Sequence, residues 1–450
     1  MPRSLGAPRE PACLAPAMHT LAQRRLSLAV VLGVALAVRL TAGMWWQSRL
    51  DDERSFAFPD SATYWELAQK IARGQPYEYG PHHTQMLRTP GYPLILAAMM
   101  RVVGDDPAAT WARALGAVMG TLAVLCVAYL AWLLFDDKVA LIAAVLAALY
   151  PGAIAMSTFV LSEAPFCPLM LLQLLLWVAA YRETRTTRAE LLAVLAGLVA
   201  GAAVMMRPSW LLFTPFAAAI GIAFFPQRRR HVLLVVVMFA AICAVMAPWW
   251  IRNYRLAGQP ILTTSQVGAS LYDGLGPQAT GASDMRFVER YREIQLMVDE
   301  HVPPADGLFE IRLDERMRDE ALEWARENPG LAFELSLIKL GRTWNVWPNA
   351  EELRSIPMRV VVTLGFVPLV VLAICGAWRH LRQGWPYVLC VLPAVYVSLL
   401  HMVFVGSIRY REPPMMALIV LASAPAAAVL HRFASTRSRE SPHSSQKAPD

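Results

Sequence analysis

The chain has 450 residues, of which 56% are hydrophobic and 17% are charged, and its mean hydropathy is +0.40. Soluble domains average about 45–50% apolar and about 25% charged residues, so this composition favours a membrane protein. The formal net charge of +7 does not indicate nucleic-acid binding, because the charges stand in short clusters between apolar runs.

Ten apolar runs are candidate membrane spans, since a transmembrane helix needs about 20 mostly apolar residues. They lie at 26–46, 111–135, 139–157, 159–181, 189–205, 209–225, 232–251, 357–378, 385–405 and 413–431. The first run is not predicted to be a cleaved signal peptide, because Arg39 interrupts it and no small-residue cleavage site follows. The sequence therefore predicts an all-α polytopic membrane protein with about ten transmembrane helices.

Arginine clusters stand in alternate connections between these runs and in both tails. They are Arg24-Arg25, Lys138, Arg182 to Arg188, Arg228 to Arg230, Arg379/Arg382 and Arg432 to Arg439. The positive-inside rule places these segments and both termini in the cytoplasm. One transmembrane domain is predicted over 23–433, with outer loops at 47–110 and 252–356. The tails 1–22 and 434–450 are rich in small and charged residues and are predicted to be disordered.

Both outer loops are predicted to contain amphipathic surface helices. The Pro59-Asp60-Ser61 segment is typical of a helix start, an apolar stripe follows from Tyr64 to Ile71, and Gly74 is a stop signal. A second segment, 92–103, is too short to span a membrane. In the second loop, a charged helix is predicted over 285–328. An amphipathic helix carrying Leu331, Leu335, Ile338 and Trp344 is expected to follow it.

Cofactor motifs are weak. No phosphate-binding glycine loop occurs, and the six cysteines show no metal or disulfide spacing. The GxxxG spacings at Gly116 and Gly197 are interpreted as helix packing. His82-His83 lacks an acidic or cysteine neighbour at ligand spacing, so no metal site is predicted.

The outer side carries cations that the positive-inside rule does not explain. They are Arg88, Arg207, Arg252, Arg255, Lys339, Arg342, Arg409 and Arg411. Lipid headgroup phosphates, internal carboxylates such as Glu163, or one anionic ligand could compensate them. Arginine binds phosphate through two hydrogen bonds and lysine acts as a point charge. Their convergence on one side favours a shared phosphate-bearing ligand.

Asp60 is the candidate catalytic residue among the outer carboxylates. Its structural interpretation is a helix N-cap, a position that Asp fills well. Its functional interpretation is a general base acting on a substrate hydroxyl. Asp51, Asp52 and Glu53 are rival carboxylates, although a charge run beside a span end is more often solvated.

An ordered set of short motifs resembles the GT-C membrane glycosyltransferases, especially the bacterial branch similar to protein mannosyltransferases and lipid A aminoarabinose transferases. The motifs run from Pro59 to Ala68 and from Arg88 to Pro93, then Leu161-Ser162-Glu163, Arg207-Pro208, Pro248 to Tyr254, Gly268 to Gly281, and Arg409 to Pro413.

The resemblance implies a sugar donor linked to polyprenyl phosphate, which reaches the site through the membrane and needs no nucleotide-binding fold. It implies that Asp60 is catalytic. Tyr64, Glu163, Asn253 and Tyr410 lie in the matching motifs and are expected to support the site. Many relatives carry a second acidic residue directly after that Asp, whereas position 61 is Ser here. No cofactor is firmly implied, and a divalent metal is left open.

The sequence thus predicts an enzyme that transfers a sugar at the outer face of a bacterial cytoplasmic membrane. The expected partners are membrane lipids, the polyprenyl-phosphate donor, and a lipid, glycan or protein acceptor. An oligosaccharyltransferase with a large soluble C-terminal domain is not expected. The alternative is a transporter or flippase of a lipid-linked or anionic substrate, which would place ionisable groups near mid-membrane. A non-catalytic membrane partner is a third class, but it does not explain why the cations cluster on one side.

Overall fold

A computed structural model describes residues 15–50, 56–104, 106–302, 308–348 and 355–440, and the side chains within 23–432 of these ranges. Over these residues the chain forms seventeen α-helices and no β-strand. They are α1 (Ala15–Gln47), α2 (Pro59–Ala72), α3 (Gly91–Val103), α4 (Ala109–Leu134), α5 (Asp137–Leu149), α6 (Pro151–Thr158), α7 (Glu163–Arg182), α8 (Thr186–Met206), α9 (Phe213–Phe224), α10 (Arg228–Ala257), α11 (Val267–Leu275), α12 (Phe287–His301), α13 (Phe309–Glu327), α14 (Pro329–Thr343), α15 (Ile356–His380), α16 (Trp385–Val403) and α17 (Ile408–Glu440).

Eight of the described helices are long and apolar enough to cross a membrane: α1, α4, α7, α8, α10, α15, α16 and α17. Helices α5 and α6 together make a ninth candidate, bent by 54° at a break. The all-α polytopic prediction is confirmed. The predicted span 209–225 is instead a short 3₁₀ turn followed by α9, whose 12 residues are fewer than a straight span needs.

Eight crossings, with α5–α6 as a re-entrant pair, or ten crossings, with α9 as a further span, would place the two termini on one side of the membrane, whereas nine would place them on opposite sides. Their cytoplasmic placement therefore stays a prediction. The helical ends are longer than predicted, because α1 begins at Ala15 and α17 continues to Glu440. Alanine favours helix at the start of α1, so residues 15–22 extend the helix beyond the candidate span Gln23–Gln47. The remainder of the predicted disordered tails lies outside the described residues.

Small residues bring the spans close together. A side chain at Gly116 would meet the backbone of Ser157, and one at Gly197 would meet the backbone of Met238. This confirms the packing interpretation of the GxxxG spacings. Helix α4 consequently packs closely on α6, and α8 packs closely on α10.

Six helices lie in the two long connections: α2 and α3 in the first, and α11 to α14 in the second. Helix α2 has the expected stripe, with Tyr64, Leu67 and Ala68 buried, and Gly74 follows with a φ of +69°. We call the side of the bundle that carries these six helices the loop face.

Helix α14 differs from its predicted pattern. Its buried residues are Leu335, Lys339 and Thr343, whereas Leu331 and Ile338 are exposed. The buried face packs against α16, so tertiary contact and not the apolar stripe decides which side turns inward. Lys339 thereby enters the protein interior.

Candidate active site

Asp60 lies in the first turn of α2, at the loop face. Phe58 is the residue that precedes the helix, and its backbone is extended. The Asp60 carboxylate binds two arginines: Arg88 Nη2 lies 2.6 Å from Oδ1, and Arg409 Nη1 lies 3.0 Å from Oδ2. The N-cap interpretation of Asp60 is therefore wrong, because Pro59 already occupies the first helical position and the carboxylate turns toward side chains from distant segments.

Glu163 begins α7 and is 1% exposed. Arg207 Nη1 lies 2.6 Å from its Oε1, and Arg409 binds both carboxylate oxygens through Nε and Nη2. Glu163 is thus the internal carboxylate that the sequence favoured as a compensator of the outer cations. Pro208 restricts Arg207 to an extended backbone (φ −139°, ψ 102°), which ends α8 and directs Arg207 toward Glu163.

Arg409 joins the two carboxylates, because it is hydrogen-bonded to Asp60 and to Glu163 at once. We call Asp60, Arg88, Glu163, Arg207 and Arg409 the charge cluster. Its three arginines and two carboxylates leave one positive charge in excess. Buried charges are stable only when they are paired, and the excess favours an anion as a further partner.

Two opposing effects act on the Asp60 carboxyl. Burial alone would raise its pKa, but Arg88 and Arg409 hold the pKa well below its usual value. Asp60 is therefore ionised at physiological pH. It is also a weak base for as long as both arginines stay bound to it.

Aromatic rings surround the charge cluster. Arg88 lies over the Tyr64 ring at 5.3 Å, and Arg207 lies over the Tyr410 ring at 5.5 Å. Tyr410 is in turn stacked on His401 with ring centroids 4.0 Å apart. These cation–π contacts fix the guanidinium planes at little conformational cost. The predicted supporting residues Tyr64 and Tyr410 lie beside the cluster.

Four of the predicted site residues lie outside the charge cluster: Arg252, Asn253, Lys339 and Arg411. Arg252 donates to the carbonyls of Gln85 and Tyr77, and Asn253 donates to the Ile261 carbonyl at 3.1 Å. Arg252 thus ties the end of α10 to the first long connection, and Asn253 ties it to the segment that follows α10. The structure places them in backbone contacts and not in the charge cluster.

Lys339 and Arg411 are both fully buried. Lys339 Nζ donates to the carbonyls of Met402 and Val403 at the end of α16, at 3.2 and 2.7 Å. Arg411 donates to the Asn345 carbonyl, which follows α14, and stacks on Phe366 at 3.5 Å. Burial lowers the pKa of Lys339 to about 8.

One cavity borders the charge cluster directly, and a second is lined by residues next to cluster members in sequence or hydrogen-bonded to them. The span cavity, of about 680 Å³, is bordered by membrane spans and by Phe58, Glu163, Arg409 and Tyr410. The loop cavity, of about 570 Å³, is lined by residues of the two long connections, among them Pro59, Gln85, Gln266 and Glu310. Phe58 borders the span cavity, and the next residue, Pro59, borders the loop cavity. The two cavities therefore approach each other at these residues, directly before Asp60 in the chain.

Several groups at the site were not among the predicted site residues. Arg342 lines the span cavity, one helical turn beyond Lys339. Gln266 accepts a hydrogen bond from Arg88 at 2.9 Å and lines the loop cavity. Arg113, 3% exposed, interrupts the apolar start of α4. Arg342 had the signal of an outer cation and Arg113 that of a charge within a span, whereas Gln266 had none.

Among the described residues, no group of three or more His, Cys, Asp and Glu side chains could hold a metal ion. The rival carboxylates Asp51, Asp52 and Glu53 lie outside the described residues.

Residues 87–251 match the family model described as dolichyl-phosphate-mannose-protein mannosyltransferase, a segment that contains Arg88, Glu163 and Arg207. The fold is similar to that of the archaeal oligosaccharyltransferase AglB from Archaeoglobus fulgidus, solved in complex with an inhibitory peptide and a dolichol-phosphate. The TM-score is 0.59 at 18% identity, covering 94% of this chain and 52% of that one. The predicted resemblance to the GT-C glycosyltransferases is confirmed.

The crystal structure of an oligosaccharyltransferase from Archaeoglobus fulgidus in the apo form matches with a TM-score of 0.58 at 17% identity, over 92% of this chain and 52% of that chain. The chain thus spans about half the length of the oligosaccharyltransferase. ArnT from Cupriavidus metallidurans, solved bound to undecaprenyl phosphate, matches at 16% identity over 92% of this chain and 81% of that chain, with a TM-score of 0.41. No curated protein sequence matches the chain significantly.

Proposed function

We propose that this protein transfers a sugar from a polyprenyl-phosphate donor to a cell-envelope acceptor at the outer face of a bacterial cytoplasmic membrane. The observation that carries the proposal is the position of the charge cluster beside two cavities, one bordered by spans and one by loops. A lipid-linked donor and a water-borne or surface acceptor need such separate approaches to one reacting centre. The AglB structure was solved with a dolichol-phosphate, which supports a lipid-phosphate ligand for this fold.

The span cavity fits the donor. Its walls are mostly apolar, as a prenyl chain requires, and Arg342 and Arg409 supply cations for the phosphate. As the glycosidic bond breaks, negative charge grows on the departing phosphate. Preorganised arginines stabilise that charge, typically the largest single contribution to such a reaction.

Asp60 would act on the acceptor hydroxyl. In the described state its two arginines make it a weak base. A donor phosphate competes with the carboxylates for Arg409, because arginine binds phosphate and carboxylate with the same two-point geometry. Donor binding would therefore release Asp60 from one cation, raise its basicity and prepare it to orient and deprotonate the acceptor. This sequence of events makes the base effective only when the donor is present.

The acceptor would enter through the loop cavity. Its lining combines amide, hydroxyl and carboxylate groups with apolar side chains. Lipid, glycan and protein acceptors all offer hydroxyl groups to such a surface.

A transporter or flippase is the competing function, and Arg39 is the feature that favours it, because it is buried within a span. Arg39 donates to backbone carbonyls of its own helix and of α5. The charge cluster instead lies at one end of the bundle. A reaction that takes place at one face of the membrane needs its charged groups there.

The test uses purified protein in nanodiscs with a panel of radiolabelled polyprenyl-phosphate sugars and an extract of envelope acceptors. We expect one donor to be consumed with label appearing in an acceptor, and consumption at low donor concentration to fall by roughly 10- to 100-fold in Arg409→Met. Donor movement across proteoliposomes without label transfer would overturn the enzyme and favour the flippase.

The orientation is tested separately with single cysteines in a variant that lacks the native ones. Val302→Cys directly follows α12, where the native side chain is 70% exposed, and Thr187→Cys lies in the first turn of α8, next to the connection from α7. We expect an impermeant thiol reagent to label Val302→Cys in spheroplasts and to leave Thr187→Cys unlabelled until the membrane is opened. The reverse pattern would place the charge cluster in the cytoplasm.

A further inference from the structure

The broken span α5–α6 forms one wall of the span cavity. Residues from Leu149 to Phe159 contribute side chains to that wall. The break occurs at Tyr150-Pro151, and the two halves differ in direction by 54°. A helix interrupted inside a membrane leaves backbone carbonyls without partners, and each unsatisfied group costs several kcal/mol in hydrocarbon.

Arg39 satisfies the carbonyls at the break. In a continuous α-helix the Ala147 carbonyl would accept from the N–H of residue 151, but Pro151 has none. Arg39 Nη2 donates to Ala147 O at 3.2 Å, and Nη1 donates to Ala148 O at 3.1 Å. The guanidinium thus replaces the hydrogen bond that the proline removes. Its positive charge also lies at the negative end of the α5 dipole.

Arg113 does the same for the second half. Its Nη1 donates to the carbonyl of Thr158, the last residue of α6, at 2.8 Å. Its Nε donates to Gln47 Oε1 at 2.8 Å, so the end of α6 is tied to the end of α1. Within the described part of the chain, no carboxylate forms a salt bridge with Arg39 or Arg113.

The segment that ends α6 is also linked to both carboxylates of the charge cluster, through a ring contact on one side and through the chain on the other. The Phe159 ring packs edge-on against Phe58, with centroids 5.0 Å apart, and Phe58 precedes the helix that carries Asp60. Four residues after Phe159 the chain reaches Glu163. A shift of α6 would therefore move the cavity wall and change the distance between the two site carboxylates.

We propose that Arg39 and Arg113 are positioning residues that hold the two halves of a broken membrane span in the bent form, and so shape the cavity that takes a prenyl phosphate. The role of the cavity rests on the proposed function. The bracing of the span does not.

The test compares Arg39→Met and Arg113→Met with Arg230→Met in nanodiscs. Arg230 is a matched control, because it also donates to helix-end carbonyls, at 3.0 Å to Ala180 O, but at the opposite end of α7. Hydrogen exchange is measured by mass spectrometry on peptides covering 145–160. We expect at least roughly tenfold faster exchange at 150–158 in the first two variants, since each loses charge-assisted hydrogen bonds, and no change there in Arg230→Met. Unchanged exchange in all three, or an equal increase in all three, would overturn the proposal.

A second variant covers the case in which Arg39→Met does not insert. Pro151→Ala restores a backbone N–H that can donate to Ala147 O. The double variant Pro151→Ala/Arg39→Met should therefore insert into the membrane. Its hydrogen exchange at 147–152 should be slower than that of whatever fraction of Arg39→Met folds. A double variant as defective as the single one would show that Arg39 does not replace that bond.

The role of the cavity in donor binding is tested by measuring the binding of undecaprenyl phosphate to the same three variants. We expect about tenfold weaker binding in Arg39→Met and Arg113→Met and wild-type binding in Arg230→Met. Faster exchange with unchanged lipid binding would retain the bracing and reject the cavity's assignment to the donor. The two conclusions therefore fail separately.

Discussion

The charge cluster and the helix-end cations differ in what they bind. In the cluster, Arg88, Arg207 and Arg409 face the carboxylates Asp60 and Glu163. At the helix ends, Lys339, Arg39 and Arg113 donate to carbonyls where α16, α5 and α6 stop. A carboxylate partner can be exchanged for a phosphate of similar geometry, whereas a helix-end carbonyl has no substitute in a membrane. Burial and charge alone therefore do not identify a ligand site. The group to which the buried cation is hydrogen-bonded distinguishes a ligand site from a structural contact.

Asp60→Asn gives the largest expected effect on the cluster side. Asn keeps the size of the side chain but cannot accept a proton. We expect transfer to fall by about 10²–10⁴-fold, the usual contribution of general-base catalysis, with the protein still inserted. The measurement is sugar transfer by purified variants at matched protein levels.

The matched control is Asp52→Asn, a nearby acid of the same loop. Near-normal transfer in Asp60→Asn together with loss in Asp52→Asn would mean that the wrong carboxylate has been chosen.

Arg409→Met and Arg411→Met test the comparison within one helix. Arg409 borders the span cavity, and its two carboxylates keep Arg88 and Arg207 as partners when it is removed. We expect donor binding to weaken by roughly 10- to 100-fold, the worth of charge-assisted hydrogen bonds, with little loss of thermal stability.

Arg411→Met should show the opposite pattern. It leaves the Asn345 carbonyl and Glu412 without their cation, so the melting temperature should fall and donor binding by the folded fraction should hold. Equal losses of donor binding in the two variants would mean that a place in the charge cluster does not decide which arginine binds the donor. Thermal unfolding and lipid binding are measured on the same preparations.

Lys339 gives the smallest expected effect, and it depends on pH. Its pKa is about 8 in the folded protein and about 10.5 as an ordinary lysine, so between these values the unfolded chain binds more protons. The stability that wild type gains over Lys339→Met should therefore rise as pH increases from about 8 to 10.5. Donor binding should not fall through pH 8, because a neutral amine still donates to the α16 carbonyls. A steep loss of donor binding with an apparent pKa near 8, absent in Lys339→Met, would place Lys339 at the phosphate.

The fold class and much of the site could be predicted from the sequence. Apolar runs of span length report on helices directly, since a membrane admits few alternatives to them. The α2 stripe and Gly74 predicted that helix and its end. Arg88, Arg207 and Arg409 stood out because they break a topology rule, and Glu163 because it lies at a span end. Arg252, Lys339 and Arg411 break the same rule, and nothing in one-dimensional order separates them from the first three.

What the sequence by itself determined is which segments enter the membrane and which charges require a partner, because both follow from the cost of placing polar groups in hydrocarbon. Only the tertiary structure decided which partner each charge has. Asp60 and Arg409 are hydrogen-bonded across most of the chain, Lys339 turns inward because α14 packs on α16, and Pro151 bends a span around Arg39. Such pairings depend on distances of about 3 Å between residues far apart in sequence, and local patterns carry no information at that range.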